Sequence, residues 1–423
     1  MVATAASSSA KGPTVRYLAV AVPARLADEG ARIALVLLAM DRVHSASLGG
    51  LLVAALMIPH VVAAPVAGAL ADHVRRRGLL HGLGLAAYGT GLIAAAWTIG
   101  RLPTACVLLL VTAAGCCAPL LTGGLTGLLA ELVPREVLPR VFSIDSATYN
   151  LAGICGPALA AALAALTGPG HALAALGAAA LLSGFAVTLL RLPARARTEG
   201  RAAPLRPAVL AAGARELIRN PPLRSVTWAS AIGQAGIGAL PVITALLAGR
   251  YRQDWAAGGL MTAFAAGAMA GSLTYALRPW TRTRPERVVL LCLPLSGIPL
   301  ALAACVSGPL VAAGLFVLAG WFKGPLFSAL LAAREQYAPA PLRTQVFTLG
   351  AGLKSTAAAA GAAAVGAAAH LGAVPLLLAA AVVQVVAALT GAALLGRHAA
   401  PRPRPARSGT ERSATTAPGA GHD

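Results

Sequence analysis

The sequence contains little charge. Only 11% of its 423 residues are charged, whereas 57% are hydrophobic. Because soluble domains carry about 25% charged residues, this composition excludes an ordinary water-soluble protein. The apolar residues form long blocks of roughly 20, enough to cross the ~30 Å hydrocarbon core of a bilayer. We therefore predict an integral membrane protein built of helices.

Acidic residues are especially scarce: the chain has 14 Asp and Glu against 34 Lys and Arg, a formal net charge of +20. Such an excess can indicate nucleic-acid binding. Here the basic residues lie between the apolar blocks and in the C-terminal segment, where membrane proteins place charge beside the bilayer. We therefore expect no nucleic-acid partner. The many Arg, Ala, Gly and Pro residues are typical of a high-GC bacterial gene.

Sequence patterns for catalysis and cofactor binding are missing. The six cysteines all lie within apolar blocks, which argues against a disulfide framework. No group of His and Cys has metal-ligand spacing, no GxxxxGK[ST] pattern occurs, and no Ser/His/Asp constellation stands out. We expect neither an enzyme nor a bound cofactor or metal.

Twelve segments are long and apolar enough to span a membrane. They cover residues 15–40, 46–70, 79–98, 104–130, 141–166, 170–191, 223–248, 255–278, 287–306, 309–333, 344–369 and 373–395. We predict an all-α integral membrane protein with twelve transmembrane helices in two six-helix bundles. Its parts are a cytoplasmic N-terminal segment (1–14), an N-terminal bundle (15–191), a basic cytoplasmic linker (192–222), a C-terminal bundle (223–395) and a disordered cytoplasmic tail (396–423).

The basic residues indicate how the spans are oriented. If the N-terminus lies inside and the connections alternate, 26 Lys and Arg fall in inside segments or at the span ends beside them, and four fall in outside segments. Membrane proteins concentrate Lys and Arg in cytoplasmic loops, and an odd number of spans would scramble this division. The sequence therefore predicts a multi-pass protein of the bacterial inner (plasma) membrane with both termini in the cytoplasm.

Predicted helix 1 carries four charges within its apolar run: Arg25, Asp28, Glu29 and Arg32. Their spacing places them on one helical face. A charge near the bilayer centre costs about 2.5–3.5 kcal/mol on insertion scales, but each acid here lies three or four residues from both arginines. The four charges are therefore expected to neutralise one another.

Two interpretations of these four charges stay open. They form a cavity-facing site for a substrate or proton, where an acid held between two cations exchanges partners during transport. Alternatively, they form a buried ion network that orients helix 1, or they lie in a solvent-exposed outer part of the helix. Asp28 would lie about 20 Å into the bilayer at 1.5 Å per residue.

Three more polar residues within spans are of interest. Lys323, near the middle of predicted helix 10, has no acid within helical reach and would suit a cavity for an anionic or aromatic compound. His60 in predicted helix 2 is a candidate for a proton pathway, because histidine is the side chain that exchanges protons near neutral pH; hydrogen bonding to a neighbouring helix is the alternative. Lys354 in predicted helix 11 can also extend toward the cytoplasmic surface.

The connection between predicted helices 2 and 3 carries a motif that recurs weakly in the second half. It reads GALADHVRRR, where five residues fit the pattern G-x-L-a-D-r-x-G-R-R: Gly68, Leu70, Asp72, Arg76 and Arg77. Two residues depart from the pattern, His73 and Arg75. Three residues match others 203 positions later, at the end of predicted helix 8: Gly68, Leu70 and Arg75 match Gly271, Leu273 and Arg278. A shared offset at equivalent positions predicts an internal duplication.

With twelve spans, related halves and this motif, the chain resembles the major facilitator superfamily over residues 15–395. The resemblance implies two six-helix bundles around a central cavity, lined by helices 1, 4, 7 and 10, that works by alternating access. It also implies that Asp72, within the motif, docks onto a helix terminus of the other half and latches one access state. The alternative for Asp72 is an ordinary solvated acid.

Predicted helix 5 bears on the transport mode. Gly156 and Pro157 match the antiporter pattern G-x-x-x-G-P-x-x-G-G, but alanines replace its other glycines. Predicted helix 4 lacks the membrane arginine that many proton antiporters carry. The sequences of helices 1 and 5 nevertheless look most like those of bacterial drug and metabolite exporters.

These features predict a secondary active transporter that couples efflux of a small amphipathic drug or metabolite to protons, as multidrug-resistance antiporters do. The expected partners are a small-molecule substrate, protons and the lipid bilayer, and the expected state is a monomer. Within transport, the alternative is an importer of a small organic acid. Outside transport, the alternative is a membrane scaffold or sensor, which has no need of charges within its spans.

Overall fold

The computed structural model describes residues 2–190, 192, 211–253, 255–280 and 282–396, and at positions 2–11, 46, 47 and 61 it describes the backbone alone. Most of the predicted linker (192–222) and nearly all of the predicted tail (396–423) therefore lie outside the described residues. The regular structure of the described part is entirely helical.

Twelve long helices follow one another in the described part: α1 (Val2–Val43), α2 (Ala46–His73), α3 (Arg77–Thr98), α4 (Thr104–Leu132), α5 (Leu138–Thr167), α6 (Pro169–Thr188), α7 (Pro221–Tyr251), α8 (Trp255–Leu277), α9 (Pro285–Cys305), α10 (Pro309–Tyr337), α11 (Arg343–Ala367) and α12 (Ala373–Leu395). A short helix, Ala212–Arg219, precedes α7. We refer to α1–α6 as the first half and to α7–α12 as the second half.

Most of these helices are long and apolar enough to cross a membrane. Among the described residues, nine qualify, and α2 is a tenth if its two bent segments form one span. The two that do not qualify are α1 of the first half and α11 of the second half. α1 carries four charges near its centre, and α11 consists mainly of Ala and Gly around Lys354. The fold is therefore that of an all-helical, multi-pass membrane protein.

The helices differ from the prediction at three places, one at a helix start and two within helices. α1 begins at Val2 rather than at residue 15, so the first helix continues through the predicted N-terminal segment. α4 widens into a π-helical turn at Leu120–Gly124, directly after a proline that cannot donate to the preceding turn. α7 breaks at Ala239, because Pro241 removes a backbone hydrogen bond at that point.

Glycines set how closely helices approach one another. Between α8 and α10, a Cβ on Gly271 would overlap the carbonyl of Trp321, and one on Gly320 would overlap the carbonyl of Phe264. Lipid tails are as apolar as the side chains, so helices in a bilayer associate through close van der Waals packing, which small residues permit. These glycines therefore let α8 and α10 touch along their backbones.

The turn between α5 and α6 recurs between α11 and α12. Gly168 has a φ of 92° and Gly372 has a φ of 85°, in a region that favours glycine. Each glycine is followed at once by a helix, and the two lie 204 residues apart. The same backbone conformation recurs close to the 203-residue offset of the sequence match, which supports the predicted duplication.

Candidate functional site

A cavity of about 660 Å³ lies between the two halves. Its walls come from α1, α2, α4 and α5 of the first half and from α7, α8, α10 and α11 of the second half. These include α1, α4, α7 and α10, the four helices that the family resemblance implied. Small-molecule sites typically have volumes of ~300–1,000 Å³, so the cavity can enclose a small organic compound.

The first and second halves meet at the face that carries the α2–α3, α4–α5 and α10–α11 connections. We call it the basic face, because Arg75, Arg76 and Arg135 lie there. Near this face Thr348 of α11 donates a hydrogen bond to the carbonyl of Ala64 of α2 at 3.0 Å. Further into the bundle, two serine hydroxyls of α5 and α8 lie 3.0 Å apart. The described contacts thus close the cavity toward the basic face.

Asp72, in the last turn of α2, caps the start of α11. Its carboxylate accepts hydrogen bonds from the backbone N–H groups of Thr344 (3.1 Å) and Gln345 (2.9 Å). Only 6% of Asp72 is exposed. A carboxylate is stabilised at a helix N-terminus by the unpaired N–H groups and by the helix dipole. The structure therefore places this acid at a helix terminus of the other half.

The other motif residues surround this contact. A Cβ on Gly68 would lie 2.6 Å from the Cα of Gln345, so glycine permits the close approach of α2 to α11. Arg77 forms an ion pair with an acid at the end of α4. Leu70 is half-buried, and Arg76 is exposed where α3 begins.

The four charges of α1 form two separate groups. Arg32 pairs with Asp28 and with Glu29, each at 2.8 Å, whereas Arg25 pairs with Asp145 of α5 at 2.7 Å. The expectation that Arg25 would neutralise the acids of its own helix is therefore wrong. Side chains on a helix lean toward its N-terminus, so Arg32 reaches back to the acids while Arg25 extends away from them.

Arg25 and Asp145 form the centre of a buried polar network between α1, α4 and α5. Both charged residues are at most 2% exposed. Their hydrogen-bond partners are hydroxyl groups at 2.6–3.1 Å, except for a shorter contact from Arg25 to Thr148; these partners are Tyr17, Thr126 and Thr148. The guanidinium also lies 3.6 Å from the ring centroid of Tyr149. Each charge is thus neutralised and hydrogen-bonded without help from solvent.

Asp28 and Glu29 share Arg32 as their one cation on α1. Asp28 also accepts a hydrogen bond from the hydroxyl of Tyr88 at 2.9 Å and is nearly buried, whereas the Glu29 side chain is 32% exposed. Because Arg25 is neutralised by Asp145, this group retains one net negative charge when both acids are ionised. All three charged residues line the cavity.

Gly156 in α5 has a packing role beside these acids. A Cβ at this position would lie 2.9 Å from the Cβ of Glu29 and 3.0 Å from the backbone nitrogen of Gly30. Gly156 therefore lets α5 approach α1. Pro157 follows it inside α5, so the helix-5 motif lies next to the acids without lining the cavity itself.

His60 lies on α2 where that helix lines the cavity. Its Nε2 atom is 3.5 Å from the hydroxyl of Thr122 on α4, and only 8% of the residue is exposed. This position fits the predicted alternative, a polar contact between neighbouring helices. It also keeps His60 close enough to the cavity to meet a proton.

Three cations of the second half line the same cavity: Lys323, Arg334 and Lys354. None of them has an ion-pair partner among the described residues. The ammonium group of Lys354 lies 4.0 Å from the ring centroid of Phe327, so it contacts the cavity aromatics and does not extend to the surface. Arg334 is only 2% exposed, and its Nε and Nη2 atoms have no hydrogen-bond partner.

Sequence reasoning missed Asp145 and Arg334. Asp145 is two turns inside α5, whereas Arg334 lies in the last turn of α10 but is only 2% exposed. Helical spacing contained a usable signal for Arg334, because positions 323, 327 and 334 fall on one face. No comparable signal existed for Asp145, whose partner is 120 residues away.

Comparison with known proteins agrees with this architecture. The sequence profile of the Major Facilitator Superfamily matches residues 17–285. The MFS-type transporter y4rN of Sinorhizobium fredii (strain NBRC 101917 / NGR234) is 33% identical over 242 residues, 55% of this chain and 58% of that protein. The chain thus matches a little over half the length of this relative.

Solved structures share the fold at low sequence identity. A bacterial homologue of the iron transporter ferroportin, in an outward-facing state, has a TM-score of 0.73 at 15% identity and covers 90% of this chain and 98% of its own. The human organic anion transporter MFSD10 (TETRAN) has a TM-score of 0.69 at 19% identity, covering 90% and 99%. Since the profile spans more than half of the sequence and the fold agrees over nine-tenths of it, the chain belongs to the Major Facilitator Superfamily.

Proposed function

We propose that this protein is a secondary active transporter that exports a small amphipathic compound in exchange for protons by alternating access. The observation that carries the proposal is the charged cavity between two six-helix halves, closed at one face by the contact between Asp72 and α11. A membrane protein gains nothing in stability from unpaired cations in its interior. A site that must bind and release a solute accounts for them.

Asp72 acts as the latch in this proposal. While its carboxylate caps α11, the two halves are held together at the basic face and the cavity is accessible from the opposite face. Opening the basic face requires the loss of both hydrogen bonds to the N-terminus of α11. Small residues at the contact, such as Gly68, let the halves separate and meet again without side-chain rearrangement.

Asp28 and Glu29 are the proposed proton carriers. Two neighbouring carboxylates that share Arg32 cannot both be neutralised by it, so their group attracts one further positive charge. A proton satisfies this group in one access state and leaves in the other. His60 is the next candidate on the pathway, since it lies on the cavity wall and an imidazole can both accept and release a proton.

Everted membrane vesicles test proton-coupled export. Respiration on lactate acidifies their interior, and an antiported compound releases protons, which acridine orange reports. We expect protein-dependent proton release with at least one compound among 4-phenylbutyrate, 4-phenylbutyramide, 4-phenylbutylamine and ethidium. The double variant Asp28→Asn, Glu29→Gln should abolish it, whereas Asp41→Asn, at the exposed end of α1, should not. No release beyond vesicles lacking the protein contradicts proton-coupled export. Unchanged release in the double variant shifts the carrier role to His60.

The proposed site of action is the bacterial inner membrane, with the basic face in the cytoplasm and the protein a monomer. Cysteine labelling tests this orientation after the six native cysteines are replaced. We expect an impermeant maleimide added to intact cells to label Arg252→Cys, between α7 and α8, but not Arg76→Cys. Labelling of position 76 alone would show that the topology is inverted. Labelling of both positions would show that the two loops lie on the same side, which contradicts the predicted number of spans.

Uptake of a small organic acid is the second candidate, and the three unpaired cations favour it. Inward transport would use the same cavity and latch with the proton moving in the same direction as the solute. Everted vesicles separate the candidates, because an acid symporter would not release protons from their acidic interior when substrate is added outside.

A further inference from the structure

We propose that the second half of the cavity binds an organic carboxylate with an apolar body, whose carboxylate lies between Lys354 and Arg334. This inference rests on the proposed transport function and names the substrate class for the same cavity. It holds for either direction of transport. The argument depends on the arrangement of cations, aromatic rings and alanines along α10 and α11.

The cations lie along one wall of the cavity. Lys323 and Arg334 are separated by eleven residues of α10, about 16 Å along the axis at 1.5 Å per residue, and they share a helical face with Phe327. Lys354 of α11 contacts the Phe327 ring, so it lies between them along the wall. The Arg334 guanidinium lies against Gly350, one turn before Lys354 on α11.

Charge balance in the cavity favours an anion. The group of Asp28, Glu29 and Arg32 carries one net negative charge, the pair of Arg25 and Asp145 is neutral, and the second half adds three positive charges. Hence the cavity has a net charge of about +2 when all groups are ionised. Two acids of the second half are already used elsewhere: Glu335 pairs with Arg343, and Glu286 accepts a hydrogen bond from Tyr337. A bound carboxylate supplies the charge that the protein lacks at this wall.

Arg334 provides the most specific signal within this wall. A guanidinium offers parallel N–H donors that match the two oxygens of a carboxylate. Here two of its nitrogens, Nε and Nη2, lack partners although the residue is 98% buried. Buried donors of this kind are nearly always paired in proteins, so an incoming acceptor is the simplest use for them.

The walls next to these cations are apolar and suit a hydrophobic body. α11 presents small side chains to the cavity: Ala351, Ala358, Ala359 and Ala362. Phe264 and Phe327 add aromatic surface from α8 and α10. Phe327 also meets Tyr149 of the first half edge-on, with ring centroids 5.2 Å apart. These surfaces can cover an aromatic or aliphatic group while the carboxylate meets the cations.

Binding to the purified full-length protein in detergent tests the inference. The probes are 4-phenylbutyrate, its amide 4-phenylbutyramide and the amine 4-phenylbutylamine, which share an apolar body and differ in charge. Isothermal titration calorimetry should give at least tenfold tighter binding of the acid than of the amide. Lys354→Gln and Arg334→Gln should each weaken acid binding about 10- to 100-fold, the range for a hydrogen bond to a charged group, and leave amide binding unchanged.

Matched variants make the result specific. Arg252→Gln removes an exposed cation outside the cavity and should not alter acid binding. Lys354→Arg keeps the charge and should retain most of the affinity, which a purely structural role for Lys354 would not predict. Should Arg334→Gln fail to fold, the wild-type comparison of acid with amide and the two Lys354 variants still decide the matter.

Two outcomes separate this inference from the proposed function. Equal binding of acid and amide, including no binding of either, overturns the carboxylate site even if another compound releases protons from vesicles. Conversely, selective acid binding without proton release in vesicles supports the carboxylate site and overturns proton-coupled export. Unchanged acid binding in both Lys354→Gln and Arg334→Gln also overturns the carboxylate site. The cations would then serve as counter-charges for Asp28 and Glu29 in another access state.

Discussion

Arg25 in the first half and Arg334 in the second are both only 2% exposed, yet their surroundings differ. Arg25 meets Asp145, hydroxyl groups and the face of Tyr149. Arg334 has two unpartnered nitrogens, against one in Arg25, and no acid in contact among the described residues. The comparison separates two uses of a buried charge. A neutralised pair holds helices in a fixed relation, whereas an unneutralised cation leaves capacity for a ligand.

The same difference extends to the other cations that line the cavity in the two halves. In the first half, each described cavity-lining cation has a carboxylate partner within 2.8 Å. In the second half, none of the three cavity-lining cations has one in the described chain. The two sides of one cavity therefore differ in charge. Three substitutions test how far this contrast holds.

The largest effect is expected for Asp145→Asn. The change leaves Arg25 buried without a counter-charge, and breaking a buried ion pair from one side typically costs about 3–5 kcal/mol. We expect a marked drop in the unfolding temperature of the purified protein, followed by fluorescence-detected size exclusion after heating. Tyr17→Phe keeps the ion pair and removes only the hydroxyl that bonds to Asp145 and Arg25, so it should cost less, about 1.5–3 kcal/mol. Equal stability of Asp145→Asn and wild type would show that the pair is not structural.

Arg334→Met should act in the opposite sense. It removes a desolvated cation and keeps a long apolar side chain, so the ligand-free protein should gain about 1–3 kcal/mol, the penalty of leaving buried donors unsatisfied. The same heating assay measures the gain. A loss of stability as large as that of Asp145→Asn would mean that Arg334 has a structural partner, and the contrast between the halves would fail.

The smallest expected effect is for Asp72→Asn, where shape is kept and charge is lost. A charge at a helix N-terminus contributes up to about 2 kcal/mol in partly buried sites, so the population with a closed basic face should fall as much as about 30-fold. With the six native cysteines replaced, alkylation of Ser355→Cys in the cavity by an impermeant maleimide reports access from the opposite face and should slow. Asp41→Asn, outside the latch, serves as the control. Unchanged alkylation would identify Asp72 as a simple helix cap.

Local sequence features were sufficient to place twelve long helices in the described part of the chain, of which nine or ten are long and apolar enough to span a membrane. Hydropathy and helix length depend on neighbouring residues only, so the sequence alone indicated an all-helical membrane protein. The motif around Asp72 was also readable, since its glycine and acid are close in sequence.

Tertiary structure alone decided which charges neutralise one another. On sequence spacing, Arg25 belonged with Asp28 and Glu29. In the fold it pairs with Asp145, because its side chain leans toward the start of α1 and meets a helix that begins more than 100 residues later. The same holds for Lys354, whose position beside Phe327 depends on the packing of α11 against α10. Pairing in a bilayer is set by which helix faces meet, and helical periodicity within one segment does not contain that information.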